Sequence, residues 1–438
     1  RPVREVRAAT FLRALYSQRQ LYEMAVEFWH NHFSIFAWDY GHASLTWPHW
    51  DRTVIRQHAL GNFRQMLGAV ARHPAMLFYL DNYINQVAGF NENWARELCE
   101  LHTLGAENYL GVRDPMTVPT LSFPGGGNFP TGTPVAAGYV DNDVYEIARA
   151  FTGWRVEDGW WPVSADTGRF LYYEPWHDKA NKFILGRYFP NTQANDPQRD
   201  GDDVLDLLAY HPGTARFICR KLCRRFVADD PPESLVDSAA AVFTAERGQP
   251  DQLRRVLRHI LLSSEFQTTF GEKIKRPFEA AVSALRAVNA EVNPRPDGFY
   301  WHYDEIGQPL FEWRPPNGYP DTRAAWLSAS SLLKRWQFVN SAIEGWIDHW
   351  DNGTALELVT IDVVAQSAGA GTTAAQLADF WISRVLGRPM SRAADRDRVI
   401  QFLRGPYSAA APLSAGHLAE YLPRAVALIL MSPEFQWR

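Results

Sequence analysis

The sequence of 438 residues contains only three cysteines, Cys99, Cys219 and Cys223. Three thiols cannot build a disulfide framework, and the last two lie four positions apart in a segment with helical periodicity, a poor spacing for a disulfide. The chain is therefore not a disulfide-stapled scaffold. Cysteine usage leaves the redox compartment open.

The sequence also lacks a long hydrophobic run and a strong charge of one sign. No apolar stretch approaches the roughly 20 residues that span a bilayer as a helix. The formal net charge is -5, and no lysine-rich or arginine-rich run stands out, which argues against nucleic acid as the main partner. The chain starts with arginine rather than methionine, so we expect a processed or truncated form in which a signal peptide is not visible.

Tryptophan and helical periodicity are abundant. The sequence has 17 tryptophans, 46% hydrophobic residues and 21% charged residues, a globular composition. Apolar residues recur at helical spacing over most of the chain. Strand signals are few, and the best lie in RFLYYEP (169–175) and WHDKANKFILG (176–186), which read as one β-hairpin. We predict a mainly α protein, a large multi-helix domain with one small β-hairpin near 169–186.

The length suits one large helical domain or two domains. We predict an N-terminal helical part, residues 1–195, and a C-terminal helical part, residues 196–438. The first contains the hairpin and a Gly/Pro-rich stretch at 111–138 that lacks either period. A connection this long is typical of a lid, a binding loop or a disordered excursion.

The C-terminal part contains two similar short segments. ILLSSEFQ (260–267) recurs as ILMSPEFQ (429–436), each time at the end of an amphipathic helix. Either a helical module is duplicated, over 200–270 and 370–438, or both segments use the same way of ending a helix.

The segment EFWHNHFS (27–34) carries two histidines two positions apart. Its apolar pattern favours a helix, on which residues two apart point about 200° away from each other. His30 and His32 therefore cannot both bind one ion from a regular helix, although they could from a strand. Two interpretations stay open: packing among aromatic side chains, or a metal site that uses His30, His32 or His102.

A second polar group of residues lies in NENWARELCELHTLG (91–105). Glu92 and Arg96 have the i,i+4 spacing of an ion pair, and Glu97 lies at the border of the apolar face. Glu97 and His102 are too far apart around a helix for a di-iron Glu-x-x-His pattern, and the chain has no H-E-x-x-H zinc motif. The segment is either a solvated, salt-bridged face or a cluster that faces a cleft.

In the second interpretation Glu92, Arg96 and Glu97 are catalytic: a carboxylate acts as acid or base, and Arg96 binds an anion or tunes the carboxylate pKa. His177 and Asp178, adjacent at the expected hairpin turn, are further catalytic candidates as a general base with its carboxylate, unless Asp178 only caps the turn. RPPNGYP (314–320) is either a structural turn or a pocket wall. The candidate substrate-binding residues are Asn91, Asn317 and Tyr319.

Together these segments resemble the bacterial family DUF1800, a domain of unknown function. The resemblance runs from residue 20 onward over most of the chain. The segments that carry it are FWHNHF (28–33), IRQHALGNFRQML (55–67), HPAMLFYLDN (73–82), NENWARELCELHTLG (91–105), DVYEIARAFTGW (143–154), HDKANKFILG (177–186), LAYHPGTARFICRKLCRRFV (208–227), KIKRPFEAAVSALRA (273–287) and PPNGYP (315–320).

The resemblance implies a mainly helical, exported protein of the periplasm or cell exterior, often encoded beside a partner of the DUF1501 family, which resembles sulfatase or phosphatase folds. This sequence departs from the family pattern by inserting the stretch 111–138, which is a candidate specificity lid. Some members carry phenylalanine at the position of His102, which weakens His102 as an essential ligand.

We expect an exported enzyme that acts on a polymer or its fragments with carboxylate and histidine chemistry, with a divalent or transition metal as an optional cofactor. No G-x-S-x-G nucleophile motif and no dinucleotide-binding G-x-G-x-x-G is present. One alternative is a non-enzymatic surface or assembly protein in which the polar clusters brace helices. Another is a glycan-binding module that uses exposed tryptophans such as Trp160 and Trp161.

Overall fold

The computed structural model describes residues 2–38, 42–190, 198–294, 298–351 and 354–438, with the side chains of 42, 346–351 and 354–356 left out. The chain forms two compact units. Unit 1 contains Arg1–Val6, Leu21–Thr268 and Leu310–Tyr319, and unit 2 contains Arg7–Gln20, Thr269–Pro309 and Pro320–Arg438. The boundary suggested by the sequence at residue 195 lies outside the described residues.

Helices dominate the chain up to Thr268. The α-helices are α1 (Pro2–Tyr16), α2 (Gln20–His32), α3 (His42–His49), α4 (Phe63–Arg72), α5 (Pro74–Tyr79), α6 (Asn93–Glu97), α7 (Asp141–Ala150), α8 (Arg199–Ala209), α9 (Pro212–Phe226), α10 (Glu233–Ala245), α11 (Gln252–Leu261) and α12 (Ser264–Thr268). Two segments are π-helical, Trp50–Arg56 directly after α3 and Leu98–His102 directly after α6. Short 3-10 turns lie at Asn82–Ile84, Ala106–Asn108, Pro115–Thr117 and Glu174–Trp176.

Two of these helices begin in the same way, with a His-Pro pair. His73 and His211 precede α5 and α9, and each ring accepts a hydrogen bond at Nδ1 from the backbone N–H two residues later, at 3.1 and 2.9 Å. The proline that follows occupies the first helical position, where a backbone N–H has no partner to lose. The ring nitrogen thus takes the role that serine or aspartate has at other helix starts.

Unit 1 also has three two-stranded antiparallel sheets. Their strands are β1 (Thr120–Ser122), β2 (Pro134–Ala136), β3 (Trp154–Asp158), β4 (Asp166–Tyr172), β5 (Lys182–Ile184) and β6 (Arg187–Phe189). They pair as β1 with β2, β3 with β4 and β5 with β6. The mainly α class with small hairpins is confirmed.

The pairing inside 169–186 differs from the single hairpin that we expected. β4 pairs with the upstream β3 rather than with β5, and β5 turns back onto β6. Leu185 and Gly186 both have positive φ, 48° and 75°, as in the two-residue turns that close hairpins. The chain therefore reverses one strand later than the polar residues at 178–181 suggested.

The core of unit 1 contains many of the tryptophans. Trp29, Trp47, Trp50, Trp94 and Trp154 are all buried, so these five supply core area rather than ligand platforms. Trp160 and Trp161, between β3 and β4, are the opposite case, with 72% and 84% of their surface exposed.

The Gly/Pro-rich stretch 111–138 is fastened to helices of unit 1. Arg247 donates hydrogen bonds to the carbonyl oxygens of Pro124 and Gly125 at 2.7 and 2.6 Å. A Cβ added at Gly126 would lie 2.1 Å from the ring of Tyr210, the residue directly after α8. Glycine is thus needed there for close packing, and these contacts give no support to a lid.

Unit 2 combines helices with one small sheet. Its α-helices, besides the part of α1 that it contains, are α13 (Pro277–Ala287), α14 (Gly298–Asp304), α15 (Arg323–Trp326), α16 (Ala329–Glu344), α17 (Val363–Gln366), α18 (Ala374–Leu386), α19 (Ala393–Arg404), α20 (Ala415–Leu430) and α21 (Pro433–Gln436). The sheet has the order β7–β9–β8, with β7 (Glu291–Val292), β8 (Trp346–Asp351) and β9 (Thr354–Thr360). Within the described residues, no helix has the length and apolar character that a membrane span requires.

The repeated SSEF and SPEF segments have a shared local cause. In each, a serine hydroxyl accepts the backbone N–H of the phenylalanine three residues later, from Phe266 to Ser263 at 3.2 Å and from Phe435 to Ser432 at 3.3 Å. A serine cap of this kind starts the short helices α12 and α21. A duplicated module over 200–270 and 370–438 stays a prediction.

Candidate functional site

The two histidines of FWHNHF lie at the end of α2 and have different partners. His30 places Nε2 2.9 Å from Oδ1 of Asp51, and both side chains are buried. His32 places Nε2 3.2 Å from the carbonyl oxygen of His102 and Nδ1 2.9 Å from Nζ of Lys221. Burial, together with the Lys221 ammonium, lowers the pKa of His32 well below its usual value. Neutral His32 therefore accepts from Lys221 and donates to His102, and a site beside an ammonium does not suit a cation.

His102 is fully buried in the π-helical segment after α6. Neither ring nitrogen has a hydrogen-bond partner among the described residues, and the ring lies among Phe33 and Trp94 at centroid distances of 5.1 and 5.8 Å. Burial and the Lys221 ammonium lower the pKa of His102 to about 3. Across the described residues, no three His, Cys, Asp or Glu side chains form a group that could hold a metal ion. The metal role of His30, His32 and His102 stays a prediction without geometric support.

We expect His102→Phe to leave the free energy of unfolding within about 1 kcal/mol of wild type, or to raise it, because an apolar ring replaces buried, unpaired polar atoms. His32→Phe is the matched control, since it removes two hydrogen bonds and should cost about 2–4 kcal/mol. Urea unfolding of both variants measures the difference. A loss in His102→Phe as large as in His32→Phe would contradict the packing role of His102.

The residues Glu92, Arg96 and Glu97 form part of a cluster at the surface of unit 1. Arg96 lies 3.3 Å from Oε2 of Glu92 and 3.6 Å from Oδ1 of Asp141, and these three side chains are about 40% exposed. Tyr109 donates a hydrogen bond to Asp141 at 2.7 Å. Sequence reasoning missed Asp141 and Tyr109, which join the cluster only through the fold.

Glu97 is the one member of this cluster with a strongly altered acidity. It is half-buried, and burial, with repulsion from Glu100, raises its pKa to about 7 against the opposing effect of Arg96. A carboxyl group that is partly protonated near neutral pH can act as a general acid. The regular α-helix ends at Glu97, and the chain is π-helical from Leu98 to His102. Angles taken from a regular helix therefore do not apply beyond Glu97.

Replacing Glu97 with glutamine should stabilise the protein at pH 8 and not at pH 4. The unfolded glutamate ionises near pH 4.3, and the folded one near pH 7, so wild type loses stability as the pH rises between these values. After allowance for solvent exposure we expect a gain of about 1–2 kcal/mol at pH 8. Glu92→Gln, which removes only a solvated ion pair, is the control. Equal effects at the two pH values would contradict the raised pKa.

Asn91 has a local structural role. Its side-chain oxygen accepts the backbone N–H of Asn93 at 3.0 Å, and its own backbone N–H donates to the Asn85 side chain at 3.0 Å. These contacts form the turn that leads into α6. Its substrate-binding role stays a prediction.

His177 and Asp178 lie away from the surface cluster that Arg96 forms with Glu92 and Asp141. Asp141, at the start of α7, contacts Arg96, whereas Arg149, at the end of α7, binds Asp178 at 2.7 Å. Eight residues of helix separate the two contacts, about 12 Å along the axis. The structure therefore does not bring His177 and Asp178 together with Glu92, Arg96 and Glu97.

The surroundings of His177 and Asp178 are those of a buried brace. Nδ1 of His177 is 3.0 Å from the carbonyl oxygen of Thr152, and Nε2 is 3.4 Å from Oδ2 of Asp200. Asp200 accepts a 2.6 Å hydrogen bond from the buried Lys182. Burial opposes ionisation of Asp178, but hydrogen bonds from Arg149 and a backbone N–H outweigh it and lower its pKa.

Asn317 and Tyr319 belong to a loop that is fastened to α2. The side chain of Asn31 brackets Tyr319: its amide donates to the Tyr319 carbonyl at 2.9 Å and its oxygen accepts the Tyr319 N–H at 2.7 Å. Asn317 accepts a hydrogen bond from the Trp313 indole at 2.8 Å within the loop. The segments FWHNHF and PPNGYP thus meet through Asn31, a residue between the two histidines that sequence reasoning did not select.

An open groove of about 780 Å3 lies elsewhere in unit 1, and none of the residues selected from the sequence lines it. One wall comes from α3, the π-helical segment after it, α4 and α5. The other wall comes from the hairpin β3–β4. Polar lining residues are Thr46, His49, Thr53, Arg72, His73, Asp158, Asp166, Thr167 and Arg169. A concave site with a few polar groups is where ligands usually bind.

Two histidines form a pair at the helical wall of the groove. Nδ1 of the exposed His49 lies 2.9 Å from Nε2 of the buried His73. Nδ1 of His73 accepts the backbone N–H of Ala75, so it carries no proton. Burial and the neighbouring His49 lower the pKa of His73 to about 3. Neutral His73 must then carry its proton on Nε2 and donate it to His49.

This chain of hydrogen bonds defines what His49 can offer. Because Nδ1 of His49 accepts from His73, neutral His49 carries its proton on Nε2. An imidazole of this kind can donate a hydrogen bond to a ligand oxygen without being positively charged. His73 holds the ring in that tautomer, as second partners do for functional histidines.

The groove has charged groups on both walls. Arg72 makes two contacts with the Asp202 carboxylate, at 2.6 and 2.7 Å, and its guanidinium lies 4.5 Å from the centroid of the Trp154 ring. Asp158 and Asp166 lie on the hairpin wall. The His73-Pro74 pair is readable in the sequence as a helix start, but its contact with His49 spans 24 positions and depends on the fold.

Comparisons with known proteins add the family and no chemistry. No curated protein matches the chain, and no solved structure does. One family model matches residues 1–437, and its description is "Protein of unknown function (DUF1800)". Since the match covers nearly the whole length, this chain belongs to the DUF1800 family.

Proposed function

We propose that the protein is an enzyme that acts on a polymer or its fragments in the groove between the helical wall and the hairpin β3–β4. The observation that carries the proposal is the His49–His73 pair. It combines an exposed ring that faces a cavity with a buried partner that fixes the tautomer. His73 also caps α5, as His211 caps α9, so the support for function comes from His49, whose exposed ring lies at the groove with its tautomer fixed.

In the proposed mechanism water attacks the carbon of the bond that breaks, and the carboxylate of Asp166, on the opposite wall, takes the proton that water loses. His49 donates a hydrogen bond from Nε2 to the oxygen of the breaking bond while negative charge develops on it, and this oxygen leaves with the proton that the carboxylate returns. The groove is open, so a chain longer than the groove can lie in it. This is the histidine and carboxylate chemistry expected from the sequence, placed on residues that the sequence did not reveal.

The cellular setting is also a proposal. The family resemblance supports export to the periplasm or the cell exterior and a DUF1501-family partner. A metal cofactor remains part of the proposal only as an option, since the groove offers His49, Asp158 and Asp166 as separate side chains with no shared coordination point among the described residues.

The test is loss of turnover in His49→Phe, which keeps a ring at this position and removes its N–H donor. The wild-type protein is incubated with soluble polysaccharides, peptidoglycan and aliphatic polyesters, and new reducing ends, amines or acids are measured. Removing one hydrogen-bond donor to a developing charge typically costs about 100-fold or more in rate. His58→Phe, at a histidine outside the groove, is the control. Unchanged turnover in a folded His49→Phe variant would refute the role of His49.

A second candidate is a non-enzymatic surface or assembly protein. The observation that favours it is the burial of His30, His32, His177 and Asp178 in networks that link helices and loops. Networks of this kind can fix one arrangement without chemistry. Absence of turnover on every polymer class, together with a defined complex with a DUF1501-family protein, would favour this candidate.

A further inference from the structure

The loop that joins β3 to β4 carries two adjacent, exposed tryptophans directly beside the groove. Trp160 and Trp161 are 72% and 84% exposed. The same hairpin provides groove-lining residues on both strands, Asp158 before the loop and Asp166 after it. The loop that bears the two indoles therefore continues directly from the groove wall that faces His49.

The loop holds its shape through backbone and side-chain contacts. Asp158 accepts the backbone N–H of Trp160 at 3.1 Å, Val163 donates its N–H to the Trp160 carbonyl at 2.8 Å, and Gly159 donates to the Ala165 carbonyl at 3.0 Å. Val163 points inward and is buried. The loop thus buries its aliphatic residue and exposes its two indoles, the reverse of what hydrophobicity alone favours.

We infer that Trp160 and Trp161 form a stacking subsite for a neutral polysaccharide that continues into the groove. A pyranose ring has a flat face of C–H groups that packs on an indole and an edge of hydroxyl groups that hydrogen-bond to carboxylates and threonine. Both kinds of group are present here, the indoles on the loop and Thr46, Thr53 and Thr167 with the two aspartates in the groove. This inference rests on the proposed function and names its substrate class.

Charge favours a glycan over other partners of exposed tryptophans. The loop GWWPVSA (159–165) has no lysine or arginine and is bounded by Asp158 and Asp166, whereas Arg155 and Arg169 lie on the strands themselves. Membrane surfaces that attract tryptophan-bearing loops are commonly anionic, and an acidic loop is repelled by them. A neutral glycan carries no charge to repel.

Affinity gel electrophoresis of the full chain tests the inference. The gels contain mixed-linkage β-glucan, arabinoxylan, galactomannan or dextran, and retardation gives the dissociation constant. We expect wild type to be retarded by at least one of them, and Trp160→Ala/Trp161→Ala to bind about ten- to a hundredfold more weakly. Trp301→Ala, which removes a 61% exposed tryptophan of unit 2, should bind as wild type does. Thermal unfolding of the double variant should match wild type, since neither indole is in the core.

Three results would overturn the inference. These are no retardation of wild type by any of the four glycans, equal retardation of the double variant, and binding only to phosphatidylcholine–phosphatidylglycerol vesicles in a tryptophan-dependent way. Failure of the proposed function gives a different set of results from failure of the subsite. Tryptophan-dependent glycan binding with unchanged turnover in His49→Phe would keep the subsite and remove the mechanism. His49-dependent turnover of a non-carbohydrate polymer would do the opposite.

Discussion

Replacing Asp200 with asparagine should destabilise the protein by about 3–5 kcal/mol, the usual effect of breaking a buried ion pair. The Lys182 side chain is 0% exposed, and its Nζ lies 2.6 Å from Oδ2 of Asp200. Asparagine removes the negative charge and leaves the buried ammonium with neutral acceptors, the carbonyl oxygens of Asp178 and Ala180 and its own amide oxygen. Urea unfolding at pH 7 measures the loss.

The same loop provides a matched control. Lys179 and Glu174 are also 2.6 Å apart but are more than half exposed, so Glu174→Gln should change the stability little. The contribution of Asp200 to the free energy of unfolding should also depend on pH. Burial raises its pKa, but His177 and Lys182 outweigh burial and lower it. Its contribution is therefore present above the unfolded pKa of about 3.9 and is lost as the pH falls through the lower folded value. A cost below about 1 kcal/mol at pH 7 would contradict the brace.

Replacing Gly318 with alanine should cost about 2–4 kcal/mol, from a clash and from left-handed backbone strain together. Its φ is +72°, and an added Cβ would lie 2.2 Å from the backbone carbonyl oxygen of Asn31. A backbone atom inside α2 cannot move aside, so the loop that carries Tyr319 must leave its two hydrogen bonds with Asn31. Chemical denaturation gives the cost.

Gly111→Ala separates the two causes. Gly111 has a similar φ of +77° with nothing within 4 Å of the added Cβ, so it reports backbone strain alone, about 1–2 kcal/mol. The excess of Gly318→Ala over Gly111→Ala measures the clash. Equal costs in the two variants would show that the loop is not pressed against α2.

Local patterns in the sequence were sufficient for the fold class. Helical periodicity predicts a mainly α chain, and helix geometry predicts that His30 and His32 diverge, as their separate partners Asp51 and Lys221 confirm. Both conclusions depend on positions a few residues apart, where the backbone itself sets the geometry.

The sequence did not indicate which distant residues pair with each other. The sequence indicates strands in the right region, but the partner of β4 is the upstream strand β3. The turn that joins β5 to β6 depends on positive φ at Leu185 and Gly186. The π-helical segment Leu98–His102 ends the regular wheel on which Glu97 and His102 were compared. No single-sequence periodicity marks such a change.

The groove with His49 and His73 could not be predicted from the sequence for a related reason. The segments with the most polar residues supplied the site candidates, and their His32, His102 and His177 are buried inside unit 1. His49 and His73 stand alone in their segments, and only the fold brings them within 2.9 Å of each other. The hairpin carboxylates reach the same groove through strand pairing that the sequence did not indicate.

The tautomers of His49 and His73 test the central claim most directly, and they need no substrate. Histidine-selective 15N labelling with long-range 1H–15N correlation spectra identifies which ring nitrogen is protonated, and His49→Gln and His73→Gln assign the signals. We predict protonation of Nε2 in both neutral rings, and a His73 that stays neutral to below pH 5, in line with its pKa of about 3. A His49 protonated on Nδ1, or a His73 that titrates near its ordinary value of about 6.5, would contradict the account.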